Sequence, residues 1–404
     1  MDAWNRNNQA IVMQLLRTQN IGLSLIKEME LRGSKIPGVV SLAQGIPSFE
    51  TNEHIKKAVI EALSLHNIGK YSLSPGLLEL REMIEETLRK DGISYDHNNE
   101  IIVTAGSIEG LTATLLTILE KGDEVIIPNP SYAAYAEAVR VAHGAPIFVD
   151  LHKNDNWSLS MDALEKVKSA KTKAVIICQP NNPTGHIYPE NTIRELAEWA
   201  KNNNCFLIFD EVYKDFNYTA KTIFRLAKDS KYRGNIVYLH SFSKAFSMTG
   251  WRVGYILACK ELAREILKIH DSLVTCAPVI SQYAAMAALR YQKELIDDIM
   301  IQYRKRREIA LEHFNKLSDF FESTAPDSGY FFFPKILFKN FGSKKTAIEI
   351  LEKAKINIVP GIAFGPAGEG YLRFCFGRSE EDLNEAFTRL KNYFHDSLCP
   401  VVKL

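Results

Sequence analysis

Apolar residues in this chain fall into short unbroken runs separated by amphipathic stretches. The runs are EIIVTAG (100–106), DEVIIPNP (123–130), AVIICQPNN (174–182), CFLIFDEVY (205–213), NIVYLHSFS (235–243) and RVGYILA (252–258). They do not alternate with polar residues, which is the pattern of strands covered on both faces. Between them, residues 108–121 (IEGLTATLLTILEK) and 191–204 (NTIRELAEWAKNNN) carry helical spacing. Strand and helix in alternation predict an α/β fold, with a mostly parallel mixed sheet covered by helices. From about residue 284 to 316 the helical pattern continues, and its basic run YRKRRE (303–308) reads as the solvated face of a linking helix. Beyond it, SGYFFFPKILF, KINIVPGIAF and YLRFCFG read as strands of a smaller α+β domain. The predicted division is a large domain over 46–290 and a small one made of 1–45 and 291–404.

Composition narrows this little. A length of 404 residues allows two domains. Lys plus Arg number 49 against 48 Asp plus Glu, a balance that argues against a nucleic-acid-binding surface as the main function. Cysteines 178, 205, 259, 276, 375 and 399 form no CxxC pair, and several lie inside apolar runs. Reduced thiols in a cytoplasmic protein fit this better than a disulfide framework or a zinc site. The histidines form no HExxH and no ligand-like cluster with the cysteines, so no metal is expected. The start, MDAWNRNNQAIVMQLL, lacks the charged and apolar regions of a signal peptide, and no run of about 18 apolar residues predicts a membrane span.

The polar residues change the picture more. In an open α/β sheet, ligands bind beyond the carboxyl ends of the strands. There this chain carries Gly106 and Ser107, Asn182, Asp210 and Tyr213, Ser241 and Lys244. Lys244 sits in SFSKAFSMTGWR, with Arg252 eight positions on. A lysine in a partly apolar pocket near other cations has a lowered pKa, and its free amine forms Schiff bases. Asp210 ends an apolar strand, where a carboxylate needs a cationic partner such as a protonated pyridine nitrogen. Tyr213 and Asn182 can reach the same ligand. Ser107 and Ile108 open a helix directly after a strand, a setting that suits a phosphate, to which Ser241 and Arg252 can add a hydroxyl and a charge. Tyr132 can stack on a planar ring. Arg373, alone in the apolar strand YLRFCFG, suits a substrate carboxylate.

Taken in order, SLAQGIPSF, YSLSPGLLELREMI, TAGSIEGL, NPSYAAY, PNNPTG, DEVY, SFSKAFSMTGWRVGY, VPGIAFG and YLRFCFG resemble the fold-type I, pyridoxal 5'-phosphate-dependent class I/II aminotransferases, over about residues 38 to 395. The resemblance implies that Lys244 is the Schiff-base lysine and proton shuttle, with Asp210 on the pyridine nitrogen. It implies that Tyr213 and Asn182 bond the ring's phenolic oxygen and that Tyr132 stacks on the ring. Ser107, Ile108, Ser241 and Arg252 are implied for the phosphate, and Arg373 for the substrate α-carboxylate, with the Gly45 amide and Asn182. Tyr71 matches a tyrosine that reaches the phosphate of the neighbouring subunit, which implies a homodimer with shared sites. The implied reaction moves an amino group from an L-amino acid to a 2-oxo acid such as 2-oxoglutarate by a ping-pong mechanism.

Some aspartate-using members carry lysine where this chain has Ile108. The stretch 18–27 matches the region that lines the side-chain pocket, and its Ile21 and Leu23, with Tyr132, are apolar or aromatic. A neutral or aromatic donor is therefore expected. Aspartate transamination and C–S β-elimination on the same fold are the alternatives.

Overall fold

The computed structural model describes residues 21–22, 24–65, 68–338 and 342–397. In chain order its helices are α1 (Leu25–Gly33), α2 (Glu53–Leu65), α3 (Leu78–Lys90), α4 (Ser107–Ile118), α5 (Ala134–Val141), α6 (Met161–Val167), α7 (Glu190–Asn202), α8 (Lys260–Val274), α9 (Val279–Arg290), α10 (Gln292–Lys316), α11 (Ser343–Ala354) and α12 (Glu380–Ser397). The main sheet has seven strands: β1 (Ile101–Thr104), β2 (Glu124–Asn129), β3 (Ala145–Asp150), β4 (Thr172–Cys178), β5 (Phe206–Asp210), β6 (Ile236–Ser241) and β7 (Gly254–Leu257). Their order is β1-β7-β6-β5-β4-β2-β3, and only β7 runs against its neighbours. The mostly parallel α/β sheet expected from the unbroken apolar runs is what forms.

Alternate residues of each strand take opposite faces. Ile127, Ile176, Ile208 and Val237 enter the core on one side, and Ile126, Ile177, Leu207 and Phe209 the core on the other. Both faces are thereby covered, which is why the runs carry no polar alternation. The strand β3 escaped the sequence reading. It is the sheet's edge, carries Pro146, and is mostly half-buried, so its apolar signal is weak.

A second, three-stranded antiparallel sheet has the order β8 (Phe331–Phe332), β10 (Leu372–Cys375), β9 (Val359–Pro360). One face packs Phe374 edge-on against Phe314 of α10 and stacks it on Phe387 of α12. Opposite pairing sets Phe331 across from Cys375 and Val359 across from Arg373, on the face turned to the main sheet. The run YRKRRE is only partly solvated. Tyr303 and Arg306 are buried, because with Ala310 and Phe314 they share one helical face. The Arg306 guanidinium lies 4.2 Å over the Phe49 ring and donates to Ser48 Oγ at 2.9 Å.

Candidate active site

Topology brings the polar residues to one edge. Strands β1, β2, β4, β5 and β6 end there, and the reversed β7 begins there, so Arg252 arrives beside Ser107. A cavity of about 440 Å³ opens at this edge. Its lining includes Gly45, Ser107, Ile108, Tyr132, Asn182, Asp210, Tyr213, Ser241, Lys244, Arg252 and Arg373. Of the candidate residues, Tyr71 alone lies elsewhere, 82% exposed on the segment before α3. A larger groove of about 720 Å³ between α1 and α11 carries surface ion pairs, Glu28 with Arg32 and with Lys344, each at 3.0 Å. Such pairs contribute little and converge on nothing.

Lys244 follows β6 by three residues, and its Nζ donates to the Gly45 carbonyl at 2.6 Å. The same carbonyl accepts from the Tyr330 hydroxyl at 3.0 Å. Gly45 packs so tightly that a Cβ would meet the Phe331 ring at 2.8 Å. Burial pushes the Lys244 amine down to about 8, and the Arg373 and Arg252 charges push the same way.

Asp210 is the last residue of β5. Its Oδ2 accepts from the Tyr135 hydroxyl at 2.8 Å, and its Oδ1 from the Val212 N–H at 3.1 Å. Burial raises its carboxyl to about 6 against the pull of these two bonds. Tyr135 was missed in the sequence. The signal was there in SYAAY, where three-residue spacing at a helix start puts Tyr132 and Tyr135 together, their rings 5.5 Å apart and edge-on.

Asn182 links Tyr213 to Arg373. Its Nδ2 lies 3.4 Å from the Tyr213 hydroxyl, and its Oδ1 accepts from Arg373 Nη1 at 3.2 Å. Arg373 is 1% exposed, lies between the Phe331 and Phe364 rings at 4.3 and 4.8 Å, and also donates to the Ala43 carbonyl. Its Nε has no partner among the described residues. A buried guanidinium with a free donor and no carboxylate is built for an incoming anion.

At the head of α4, Gly106 takes φ +85°, and a Cβ there would lie 2.3 Å from Arg252 Nη2. Arg252, itself left-handed at φ 52°, donates to the Thr249 carbonyl at 2.9 Å. A Cβ on Gly254 would meet the His240 carbonyl at 2.5 Å and the Ser107 nitrogen at 3.0 Å. Small residues thus let a helix N-terminus, a guanidinium and Ser241 crowd one anion-sized corner. The lining residues from α1 are Ile26 and the exposed Lys27, and Ile21, expected from the sequence, is not among them. Leu23 lies outside the described residues, as does Cys399.

Comparison with known proteins agrees with this geometry. The family model for aminotransferase class I and II matches residues 37–390. Aromatic-amino-acid aminotransferase 2 of Thermococcus litoralis is 33% identical, over 93% of this chain and 96% of its own. Aspartate aminotransferase of Pyrococcus abyssi is 34% identical, over 93% and 97%. The crystal structure of the aromatic aminotransferase from Pyrococcus horikoshii OT3 superposes with a TM-score of 0.85 at 34% identity, covering 91% of this chain and 99% of that one. The chain belongs to the class I and II aminotransferases, enzymes of the fold-type I architecture that use pyridoxal 5'-phosphate to exchange amino groups between amino acids and oxo acids.

Proposed function

We propose that this enzyme takes the amino group of a neutral or aromatic L-amino acid and passes it to a 2-oxo acid such as 2-oxoglutarate. The observation that carries the residue roles is the convergence of Lys244, Asp210 and Arg373 on one cavity. The donor set fits the cofactor. A raised, buried carboxylate awaits a cation, a glycine-lined helix start awaits a phosphate, and the cavity is within the usual volume of small-molecule sites. Bound pyridoxal phosphate supplies an aldehyde that exchanges amines and a ring that accepts the electron pair left at Cα.

The chain's own residues do the rest. Lys244 Nζ, its amine lowered by burial to about 8 and so far readier to give up its proton than an ordinary lysine, takes the Cα proton and holds it for return. Asp210 holds a proton at the ring nitrogen, oriented by Tyr135 and the Val212 N–H. Asn182 and Tyr213 orient the ring oxygen, and Tyr132 covers the ring face. Ser107, Ile108, Ser241 and Arg252 bind the phosphate. Arg373 clamps the substrate carboxylate, with Asn182 and the Gly45 amide. R373K is expected to raise KM for the amino acid about 100-fold with a smaller change in kcat, since an ammonium cannot make the fork-like contact. A steady-state comparison in which KM is unchanged removes Arg373 from this role.

Ile26, Ile46, Ile108 and Tyr132 support the neutral or aromatic preference. A second reading, aspartate as donor, has Lys27 in its favour as an exposed cation on the lining. A kinetic panel decides between them. Phenylalanine, methionine or leucine is expected to lead, and aspartate ahead by more than about tenfold in kcat/KM sinks the preference.

The division into a large domain over 46–290 and a small one over 1–45 and 291–404 is part of this reading; residues 1–20 lie outside the described part. So is a homodimer with shared sites. Ile60, Leu63, Tyr71 and Leu73 expose large apolar surfaces close together in the chain, as an interface does. Among the described residues no helix is long and apolar enough to cross a membrane. A cytoplasmic location accords with the free cysteines, four of which are buried.

A further inference from the structure

His270, on α8, is fully buried yet belongs to none of the roles above. Its Nδ1 lies 3.0 and 3.2 Å from the two carboxylate oxygens of Glu109. Its Nε2 faces the Ser74 carbonyl at 3.0 Å, an acceptor only, so that nitrogen donates. Glu109 stands in the first turn of α4, and its Oε2 accepts the Ala105 N–H at 3.1 Å, which fixes it to the turn that makes the phosphate corner. Ser74 stands in the segment that carries Tyr71. One imidazole therefore spans the gap between the phosphate corner and that segment.

The segment is tied down along its length. Ser74 Oγ donates to Asp271 at 2.6 Å, and Gln282 of α9 accepts the Leu77 N–H at 2.7 Å and donates to Ser72 Oγ at 3.1 Å. Gly76 takes φ +100° with Val103 where its Cβ would stand, at 2.6 Å. Yet the side chains this anchored backbone carries point outward: Tyr71 is 82% and Leu73 75% exposed. A backbone fixed by several polar bonds beneath exposed large side chains is a platform that presents them to something outside the chain. Burying a histidine against a half-buried carboxylate for this is costly, and an apolar contact would serve mere packing.

We propose that His270 is a positioning residue that sets the Tyr71 platform against the head of α4, and so fixes how Tyr71 meets the cofactor phosphate of a second copy of this chain. This rests on the proposed homodimer. The rigid side of the bridge is Glu109 and the positioned side is the platform, so loss of His270 acts through Tyr71.

A double-mutant cycle on the full-length protein tests it, reading the Kd for pyridoxal phosphate of the resolved apoenzyme. H270Q is expected to raise Kd about tenfold, the scale of one charge-assisted hydrogen bond. Y71F is expected to weaken binding as well. In the Y71F background H270Q is expected to add less than about twofold, because the two act in series. A full, additive effect of H270Q in Y71F, or no effect of H270Q alone, overturns the proposal while leaving the dimer intact. A chain that sediments as a monomer, or an unchanged Kd in Y71F, overturns the dimer reading itself and this inference with it. If H270Q fails to fold, E109Q enters the same cycle. It keeps an oxygen for the Ala105 N–H and replaces the charged oxygen facing His270 with a neutral amide NH2.

Discussion

K244A is expected to lower kcat for amino transfer by at least about 10⁴-fold, since it removes both the amine that exchanges with substrate and the base at Cα. Thr249, Gly250 and Ser243 line the same cavity but carry no group basic enough to substitute. The change removes the bond to the Gly45 carbonyl, which keeps the Tyr330 hydroxyl as a donor, and it also removes a charge that burial disfavours. Burial holds the Lys244 amine near 8 against an ordinary 10.5, so the charged form is disfavoured in the native state. Between pH 8 and 10.5 the unfolded chain binds the proton that the native chain has released, and wild-type stability rises with pH across that window. K244A lacks this rise. Thermal melts of the two apoproteins are therefore expected to show the variant the more stable at pH 7, with the gap closing towards pH 10. A variant with near-normal turnover, or a stability difference from wild type that does not change between pH 7 and 10, contradicts the assignment.

How much of this was legible in the sequence follows from where each signal is local. The ends of β1, β4, β5 and β6 are read directly, because an apolar run followed by a polar residue fixes both the strand and its exit. Lys244, Asp210 and Asn182 stand out for that reason, and the cavity gathers them. Arg373 was legible as a lone charge in an apolar run. Its neighbours Phe331, Phe364 and Ala43 were not, since they come from separate parts of the chain. Tyr135 was passed over because an aromatic at a helix start has a ready explanation as core, and only the fold brings its hydroxyl to Asp210. The edge strand β3 was lost to its proline and its half-exposed residues. The basic run of α10 misled, because residue type alone does not say which arginine turns inward. Lys27 was legible as a charge, but its place on the lining depends on how α1 lies across the cavity.

D210N is the sharper test of the electrostatics, since the side chain keeps its shape. An asparagine oxygen still accepts the Val212 N–H, and Tyr135 still finds a partner, but no negative charge faces the ring nitrogen. Loss of one such preorganised group is expected to lower kcat about 10²- to 10³-fold with the cavity otherwise unchanged. Stability is expected to move the other way. Burial lifts the Asp210 carboxyl from 3.8 to about 6, so between those values the native state binds a proton that the unfolded state has given up, and the apoprotein loses stability as pH rises through the window. That loss is in force above pH 6 in wild type and absent in the variant. D210N apoprotein is thus expected to melt at or above wild type at pH 7 while transferring amino groups far more slowly. The carboxylate is then a strain the fold bears for the sake of the cofactor, in keeping with active sites that trade stability for function. Turnover within about threefold of wild type, a change too small for a lost charge partner, removes Asp210 from the ring nitrogen.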